Sequence, residues 1–247
     1  MARDANRHAR ALLDSARIAS TARRGKQLAL LSEDGRALVV HLGMSGRLVV
    51  APREPGAHPP HTHVVWDVGD SHVMRFTDPR RFGALVPCAS AHELDAHWSD
   101  LGPDALSMRA DDLAHALAQR RTSVKAALLD QSLIAGLGNI YVDEILHRAG
   151  IHPLMRSKRA SAHALAIVQC MHAVLDAAIA AGGSTLRDYV DAAGNPGEYV
   201  TLHRVYGRAG QACDRCRSPI KSAVVGGRTT AFCPACQGRV RPTVHPM

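Results

Sequence analysis

Four cysteines near the C-terminus have the types and spacing of a metal site. Cys213, Cys216, Cys233 and Cys236 form the pattern C-x2-C-x16-C-x2-C. Each close pair can present two thiolates to one tetrahedral Zn²⁺ ion, and the spacer, with its turn signal at residues 226–227, is long enough for a hairpin. Two disulfides or a chance spacing are the alternatives. We expect one structural Zn²⁺, although a zinc ribbon by itself does not define a function.

A second group of residues with chemical potential is the sequence GLGN at 136–139, which lies between two segments with helical periodicity. Its two glycines permit a tight backbone turn, and Asn139 is predicted to cap the helix that follows. The exposed N–H groups at the start of that helix would then form a phosphate site. An ordinary helix–turn–helix hairpin is the alternative interpretation of this segment.

The overall charge favours a polyanionic partner. The 247 residues include 30 Lys and Arg against 22 Asp and Glu, which gives a formal net charge of +8. A basic balance of this size is typical of proteins that bind nucleic acid, although a merely soluble basic protein is the alternative. Cys88 and Cys170 are isolated, which favours a reducing compartment over a disulfide framework.

The polar start of the chain and the interrupted apolar runs predict neither a secretory signal nor a membrane span, which would need about 20 apolar residues. We therefore expect a cytoplasmic, nucleoid-associated protein with no membrane partner.

Hydrophobic patterning divides the chain into a β-rich half and a helical half. Short apolar or alternating runs predict strands at residues 26–31, 37–42, 47–50, 63–68 and 73–76, and residues 5–16 are predicted as a short helix. Helical spacing follows at residues 113–119, 124–133, 140–149 and 160–181, with a further short helix at 185–190.

We predict an α+β fold with two domains: an N-terminal β-sandwich and a C-terminal helical domain that carries a β-hairpin zinc finger. The predicted boundaries are residues 1–98 for the sandwich, 105–200 for the helices and 203–240 for the zinc hairpin.

Several separated motifs resemble the Fpg/Nei family of DNA-repair glycosylases, and they occur in the family's order. They are HLGMSGRL at 41–48, DPRRFG at 78–83, DQSLIAGLGNIYVDEIL at 130–146, VYGR at 205–208 and GRTTAFCPACQ at 227–237. The third motif matches the family's helix–two-turns–helix signature. The resemblance extends from about residue 23 to residue 237 and implies a sandwich, a helix–two-turns–helix domain and a zinc hairpin, with DNA held between the two lobes by a monomeric protein.

The resemblance also implies roles for individual residues. Met44, Arg80 and Phe82 match positions that enter the duplex where a damaged nucleotide has been flipped out, which suits a thioether, a guanidinium and an aromatic ring. Core packing is the alternative for Met44 and Phe82. The matched phosphate contacts are Lys26, His61, Arg120, Asn139 and Arg228, and Arg80 is also matched as a DNA-binding residue. The family also places a proton transfer near Arg228, and its mobile loop over the flipped base matches residues 194–197.

The first residues depart from the family pattern. The family's chain begins with Pro-Glu, whose proline amine forms a Schiff base with the sugar, whereas this sequence begins Met1-Ala2-Arg3-Asp4 and has no proline before Pro52. Three explanations compete: a start site placed too far downstream, a short protein that binds lesions without cleaving them, or a short protein that uses another amine. The third explanation assigns the nucleophile to the amine of Ala2, with Lys26 as a further possible amine.

These observations define the expected function. The sequence predicts a base-excision repair protein of the DNA glycosylase and abasic-site lyase type, whose partner is duplex DNA with damaged bases or abasic sites. A catalytically silent lesion binder of the same fold is the alternative, since the Pro-Glu opening is absent. A zinc-ribbon protein of transcription or translation is a third possibility, and it would have no use for Met44, Arg80 and Phe82.

Overall fold

The computed structural model of the protein describes residues 12–185 and 195–238. The chain separates into two compact units, the first comprising Met1–Asp100 and Ala181–Val200, the second Leu101–Ala180 and Thr201–Met247. The first unit is built on β-strands and the second on helices and a small hairpin, as an α+β fold of two domains requires.

Two antiparallel sheets form the first unit. The first sheet has the order β1-β2-β3-β7, and the second has the order β4-β6-β5. The strands are β1 (Ile18–Arg24), β2 (Gln27–Ser32), β3 (Ala37–His41), β4 (Arg47–Pro52), β5 (Thr62–Val68), β6 (His72–Thr77) and β7 (Ala84–Cys88). Five of the seven overlap the predicted runs. The other two, β1 and β7, are the outer strands of the first sheet.

The core of the sandwich contains residues from both sheets. Leu30, Leu38 and Val40 of the first sheet and Phe76 of the second belong to one buried cluster, which also includes Leu13 from the chain ahead of β1. Burial of these side chains is the main stabilising contribution to the unit. The indole Nε1 of Trp66, which packs against this cluster, donates a 2.7 Å hydrogen bond to the carbonyl of Leu12.

The predicted helix over residues 5–16 is wrong within its described part, and residues 1–11 lie outside the described structure. Residues 12–16 form a turn in which the Ala16 amide donates to the Leu13 carbonyl. Leu13 and Ser15 have φ angles of 66° and 56°, which a right-handed helix excludes. Burial of Leu13 in the sandwich core favours this turn over a helix.

One helix, α1 (Ala91–Trp98), completes the described part of the first unit and contacts β3 and β7. Its start is held by two hydrogen bonds: Ser90 Oγ, at the N-cap, accepts from the Glu93 amide, and Glu93 Oε2 accepts from the Ala89 amide. At its other end, Trp98 Nε1 donates a 2.8 Å hydrogen bond to Gln27 Oε1, which joins the helix to β2.

Helices dominate the second unit. They are α2 (Ala110–Ala118), α3 (Val124–Leu129), α4 (Asn139–Arg148), α5 (Ser157–Ala160) and α6 (Ala164–Ala180), with 3-10 turns at Ser161–His163 and Tyr199–Leu202. The four predicted helical runs correspond to α2, α3, α4 and α5–α6. The second predicted run ends four residues early, because Asp130 leaves the helical region with a ψ of 109°. The predicted short helix at 185–190 lies outside the described residues from residue 186 onward.

The stretch Ser157–Ala180 is long and apolar enough to cross a bilayer by length and composition alone. In the structure α6 contacts α2 and α4, and it buries Ile167, Val168, Met171 and Val174. A core helix of a helical domain has the same composition, and packing against two neighbours is what that role requires.

The C-terminal hairpin consists of β8 (Lys221–Val225) and β9 (Arg228–Phe232). The two strands pair in regular antiparallel register from Lys221 opposite Phe232 to Val225 opposite Arg228. Gly226 and Gly227 form the two-residue turn with φ angles of 58° and 71°, as a hairpin of this type needs. The predicted ribbon is therefore confirmed.

Candidate nucleic-acid interface

Two loops of the first unit lie against each other, and we call residues 42–46 and 78–83 the paired loops. Gly43 has a φ of 62°, and a Cβ at this position would lie 2.7 Å from the carbonyl carbon and oxygen of Phe82. Within the first loop, the Gly46 amide donates a 2.8 Å hydrogen bond to the Leu42 carbonyl. Glycine at 43 therefore permits the backbones of the two loops to make direct contact.

A buried polar pair fixes the paired loops to each other. Ser45 Oγ donates a 2.6 Å hydrogen bond to Asp78 Oδ1, and Ser45 and Asp78 are 2% and 1% exposed. The second carboxylate oxygen of Asp78 accepts from the Gly83 amide at 2.7 Å. The Arg80 amide donates to both Ser45 Oγ and Asp78 Oδ1. Three residues of the paired loops therefore direct hydrogen bonds to one carboxylate.

This arrangement sets the charge state of the carboxylate. Burial acts to raise the pKa of Asp78, but the hydrogen bonds from Ser45 and from the amides of Gly83 and Arg80 outweigh it. The net result is a pKa below the ordinary value of 3.8. Asp78 is therefore ionised at neutral pH and accepts charge-assisted hydrogen bonds from both loops.

The paired loops carry the three side chains that the sequence predicts to enter the duplex, and we call Met44, Arg80 and Phe82 the wedge. Met44 and Phe82 are 63% and 56% exposed, so core packing, the alternative interpretation, does not apply to either. The guanidinium of Arg80 lies over the Phe82 ring, with Cζ 4.9 Å from the ring centroid. Such a cation–π contact holds the arginine beside the aromatic ring. The paired loops thus carry two exposed apolar side chains and one cation on a rigid base.

Two further predicted contacts belong to the first unit. His61 is exposed, has a φ of 64°, and its carbonyl accepts a 3.0 Å hydrogen bond from the Asp78 amide. That bond places His61 next to the second paired loop. Lys26 is exposed in the turn between β1 and β2, after Gly25, and so belongs to a different loop of the sandwich.

In the second unit, the turns between α3 and α4 are held by one amide side chain. Gln131 Nε2 donates to the carbonyls of Leu129 and Leu137, each at 3.0 Å, and Gln131 Oε1 accepts from the Gly136 amide. Gly136 has a φ of 111°, which only glycine adopts readily. This network fixes the start of α4 relative to the end of α3.

Asn139 is the first residue of α4, and the prediction that it caps the helix is wrong. The N-cap is Gly138, which has no side chain to accept a hydrogen bond. Asn139 Nδ2 instead donates a 2.9 Å hydrogen bond to the Thr229 carbonyl on β9, and its Oδ1 atom is buried with no hydrogen-bond partner among the described residues. The side chain therefore connects the helix to the hairpin, and the first turn of α4 presents its N–H groups at a helix terminus, where an anion can bind.

A buried ion pair makes a second connection between the helices and the hairpin. Lys125 on α3 is fully buried and donates a 2.6 Å hydrogen bond to Asp143 Oδ1 on α4. Asp143 Oδ2 accepts from the Ala231 amide at 2.9 Å, and Lys125 Nζ lies 3.4 Å from the Thr229 carbonyl. Burial raises the pKa of Asp143 to about 6 even though Lys125 opposes the shift, and burial lowers the pKa of Lys125. Both directions have one cause, the removal of two charges from water.

The neighbouring carboxylate anchors the chain that enters the hairpin. Glu144 is 2% exposed and accepts hydrogen bonds from three successive amides: Arg204 at 2.8 Å, Val205 at 3.0 Å and Tyr206 at 2.8 Å. Buried carboxylates need such partners, and three donors satisfy most of its acceptor capacity. Asp143 and Glu144 therefore attach both ends of the hairpin segment to α4.

The four predicted metal ligands converge. The Sγ atoms of Cys213, Cys216, Cys233 and Cys236 all lie within 4.8 Å of one another. The Cys213–Cys236 and Cys216–Cys233 sulfur distances are 3.9 and 3.4 Å. Tetrahedral Zn²⁺ with Zn–S bonds of about 2.3 Å places sulfurs about 3.8 Å apart, so the donor set fits one zinc ion.

Helix α4 and the segment that follows it support this cysteine cluster. His147 Nε2 lies 3.6 Å from Cys213 Sγ, and burial lowers the pKa of His147, which keeps the imidazole neutral at physiological pH. Gln237 Oε1 accepts from the Cys233 amide at 2.7 Å, and Gln237 Nε2 donates to the Ile151 carbonyl. Such outer contacts orient metal ligands. The predicted structural Zn²⁺ is therefore supported by geometry as well as by spacing.

The two remaining cations sit at defined places in the second unit. Arg228 is exposed at the tip of the hairpin, one residue before the Thr229 carbonyl that Asn139 contacts. Arg120 follows α2, and its Nη2 atom lies 3.3 Å from Asp130 Oδ2 and 3.4 Å from Ser132 Oγ. The structure thus brings Asn139 close to the strand that carries Arg228, and it places Arg120 against the first turn after α3.

Sequence reasoning missed the residues that position this site. Lys125 lies in the otherwise apolar sequence VKAALL, and a single charge in an apolar helix is a signal for a buried ion pair. Asp143 and Glu144 were part of a recognised motif, but their structural role cannot be derived from their spacing. Ser45 and Asp78 also lay inside recognised motifs without a predicted function.

Comparison with known proteins accounts for nearly the whole chain. The formamidopyrimidine-DNA glycosylase N-terminal domain matches residues 2–85, its H2TH domain matches residues 101–190, and the zinc finger found in FPG and IleRS matches residues 210–238. The formamidopyrimidine-DNA glycosylase of Paracoccus denitrificans is 44% identical over 241 residues, which cover 92% of this chain and 84% of that protein. The corresponding protein of Novosphingobium aromaticivorans is 44% identical over 230 residues, with 91% and 83% covered.

Solved structures agree with the sequence comparison. The crystal structure of the MutM (Fpg) protein from Thermus thermophilus superposes with a TM-score of 0.83 at 38% identity, covering 94% of this chain and 86% of that one. Lactococcus lactis Fpg in complex with DNA containing an abasic site gives a TM-score of 0.81 at 32% identity, with 91% and 83% covered. The chain therefore belongs to the formamidopyrimidine-DNA glycosylase family.

Proposed function

We propose that this protein is a DNA glycosylase with abasic-site lyase activity that removes damaged bases from duplex DNA in base-excision repair. The observation that carries the proposal is the pair of exposed side chains, Met44 and Phe82, on loops braced by the buried Ser45–Asp78 hydrogen bond. Exposed apolar groups on a rigid scaffold are suited to fill a base stack from which a nucleotide has been flipped. The protein would act in the cytoplasm, at the nucleoid.

In this proposal Arg80 completes the wedge. The Phe82 ring holds its guanidinium in a fixed place, where it can donate hydrogen bonds to the base left without a partner. Unstacking a base pair costs a few kcal/mol, and insertion of the two apolar side chains offsets that cost. The rigid base under the wedge matters because a mobile loop would lose conformational entropy when it inserts.

The remaining predicted contacts would neutralise DNA phosphates. Lys26 and His61 are exposed on the first unit, and Arg120 and Arg228 on the second. The start of α4 presents backbone N–H groups beside Asn139, and an anion is stabilised at such a helix terminus. Binding that depends on several phosphate contacts weakens steeply as salt is raised.

Catalysis requires an amine that attacks C1′ of the damaged nucleotide. A new C–N bond forms as the base departs with the electrons of the glycosidic bond and takes up a proton. The sugar ring then opens at the C1′–O4′ bond to give an imine, and loss of a proton from C2′ eliminates the 3′ phosphate. The amine of Ala2 is the proposed nucleophile and lies outside the described residues; Lys26 is the second amine we consider. We propose that the proton transfer of the last strand-cleavage step takes place close to Arg228.

Strand nicking tests the proposal. Structures of relatives contain DNA with Fapy-dG, an abasic site, carbocyclic 8-oxo-G or an oxidised pyrimidine. Duplexes with Fapy-dG, an abasic site or an oxidised pyrimidine form the substrate panel, because a carbocyclic sugar has no ring oxygen and cannot open to an imine. We expect nicking of at least one lesion duplex and, with borohydride, a covalent protein–DNA adduct. Intact strands on the whole panel at saturating protein, with lesion binding retained, would instead show a binder that does not cleave.

Peptide mapping of the borohydride adduct identifies the amine. An adduct on the N-terminal peptide assigns the reaction to Ala2, whereas an adduct at residue 26 assigns it to the lysine. Lys26→Arg is the matched variant, since it keeps the positive charge for phosphate binding but cannot form an imine. We expect this variant to retain both nicking and trapping.

A further inference from the structure

A cavity of about 530 Å³ in the second unit is surrounded by cations, of which only Arg120 has so far been given a function. It is lined by Ala118, Gln119, Arg120, Arg121, Arg156 and Lys158, which we call the cationic cavity. Four of its six lining residues are basic, and none is acidic. Arg120 is balanced by Asp130 at 3.3 Å.

The other three cations of the cavity have no carboxylate partner in the part of the chain that the structure describes. Within residues 12–185 and 195–238, no acidic side chain forms an ion pair with Arg121, Arg156 or Lys158. Like charges on neighbouring surface positions repel each other, so such a cluster lowers stability unless an anion binds to it. The cluster thus has the electrostatic character of an anion site.

Backbone hydrogen bonds hold the two segments that carry these cations in fixed relation. The Ser157 amide and hydroxyl both donate to the Thr122 carbonyl, at 2.9 and 2.8 Å, and Ser157 is fully buried. The Val124 amide donates to the Met155 carbonyl at 2.7 Å. Arg121 directly precedes Thr122, while Arg156 and Lys158 flank Ser157. The cations are therefore presented by a rigid pair of segments, which is how a preorganised site is built.

The exposure and polarity of the residues that line the cationic cavity favour an extended polyanion over a small ligand. Small-molecule sites are mostly apolar and bury most of the ligand, whereas all six residues that line the cationic cavity are exposed and only Ala118 is apolar. Guanidinium groups bind phosphate oxygens in pairs, and an open site accommodates a continuous backbone. Arg120, already proposed to contact a DNA phosphate, lies at one side of the same cavity.

From these observations we infer that the cationic cavity binds the sugar–phosphate backbone of duplex DNA, extending the contact made by Arg120 along the same strand through Arg121, Arg156 and Lys158. The inference rests on the proposed function, because it assumes that the partner is DNA. It adds a phosphate-binding site that is independent of the damaged base. Its effect is to raise affinity for any duplex, and it carries no preference for a lesion.

The test is the salt dependence of binding to an undamaged duplex. The variant Arg156→Gln/Lys158→Gln removes two charges from the cavity, and the control Arg109→Gln/Arg159→Gln removes two charges from exposed positions that do not line it. Each lost phosphate contact lowers the slope of log K against log salt by about 1. We expect the first variant to lose about 2 from the slope, one for each lost contact, and the control to keep the parent's slope.

Two outcomes would overturn the inference. The first is equal slopes for the parent and the cavity variant, or an equal change in the control variant. The second is loss of binding to inorganic pyrophosphate in the cavity variant while its DNA slope stays at the parent value, which would indicate a site for small anions. Nicking of a lesion duplex at saturating DNA in low salt should be unchanged in the control variant. If the proposed function is wrong, the parent protein will not nick lesion duplexes. The salt-dependence slopes of the parent and the two variants can still be compared in that case, so the two failures are distinguishable.

Discussion

Lys125 Nζ and Asp143 Oδ1 are 2.6 Å apart at a point where neither side chain reaches solvent. The pair joins α3 to α4, and through the amide of Ala231 and the carbonyl of Thr229 it reaches β9, the strand that begins with Arg228. Together with the Asn139 hydrogen bond to the Thr229 carbonyl, the ion pair therefore links the helix–two-turns–helix motif to the hairpin tip. It holds the start of β9, where Arg228 lies, in place relative to α4.

Breaking this pair from one side should be costly. We expect Lys125→Met to lower the free energy of unfolding by about 3–5 kcal/mol, because it leaves the Asp143 carboxylate buried without a counter-charge. Adding Asp143→Asn keeps an acceptor for the Ala231 amide and removes the charge, so the double variant should recover at least about 1 kcal/mol. Denaturant unfolding of the four proteins in a double-mutant cycle measures the coupling. Additive losses would show that the two residues do not stabilise each other.

Zinc removal should affect the hairpin first. The described hairpin core is small, and the four cysteines hold its ends together, so chelation should expose the β8 and β9 amides to hydrogen exchange. The β-sandwich contains no ligand of this site and should keep its far-ultraviolet spectrum. We expect DNA affinity to fall because Arg228 is no longer positioned. Unchanged exchange rates in β8 and β9 after complete zinc removal would contradict a structural role for the metal.

The paired loops should respond to pH through Asp78. Its folded-state pKa lies below the ordinary value of 3.8, so the ionised carboxylate stabilises the fold at higher pH, and this contribution is lost as pH falls through the lowered pKa. Ser45→Ala removes one donor. It should raise the pKa of Asp78 and cost about 1–3 kcal/mol.

Carboxylate NMR titration and acid unfolding measure both effects of Ser45→Ala. Ser71→Ala is the control, since the Ser71 hydroxyl is exposed and contacts only the ring of His72 among the described residues. An Asp78 pKa that is the same in both variants would exclude Ser45 as the cause of the shift.

Gly43 should be needed for loop contact as well as for its backbone angle. Gly43→Ala introduces a Cβ closer to the Phe82 carbonyl than real contacts allow, whereas Gly35→Ala, also at positive φ, meets no atom within 4 Å. Both variants should lose about 1–2 kcal/mol from the strained φ. Only Gly43→Ala should also weaken binding to abasic-site DNA relative to intact duplex. Equal discrimination in the two variants would mean that the contact between the loops has no role in recognition.

Much of the architecture could be predicted because it depends on local patterns. The strands β2 to β6 show alternating or continuous apolar runs, and the hairpin follows from the cysteine spacing and the Gly226-Gly227 turn. The outer strands β1 and β7 were missed, since β1 is largely exposed and has no apolar face, and Pro87 in β7 masks its pattern. The turn at residues 12–16 could not be predicted, because it depends on tertiary burial of Leu13.

The candidate site, like the fold, has a part that local sequence patterns predict and a part that depends on tertiary contacts. Met44, Arg80, Phe82 and the four cysteines were identified from motifs. The contacts that position them were not identified, since Ser45–Asp78 and Lys125–Asp143 join residues 33 and 18 positions apart. The prediction that Asn139 caps α4 is wrong, because the preference of asparagine for N-cap positions does not show which residue of a segment is the N-cap. In the structure the N-cap is Gly138. Sequence patterns therefore identified the candidate site residues, whereas the long-range hydrogen bonds that determine their positions could only be seen in the structure.

The wedge is the central claim, and competition binding tests it most directly. Met44→Ala/Arg80→Ala/Phe82→Ala should bind intact duplex nearly as well as the parent but lose most of the preference for an abasic-site duplex. The control Val50→Ala/Arg53→Ala/Val68→Ala removes the same kinds of exposed side chain from β4, β5 and the segment between them, and it should keep that preference. If the triple wedge variant prefers abasic-site DNA as strongly as the parent and the control do, the three side chains are not the wedge.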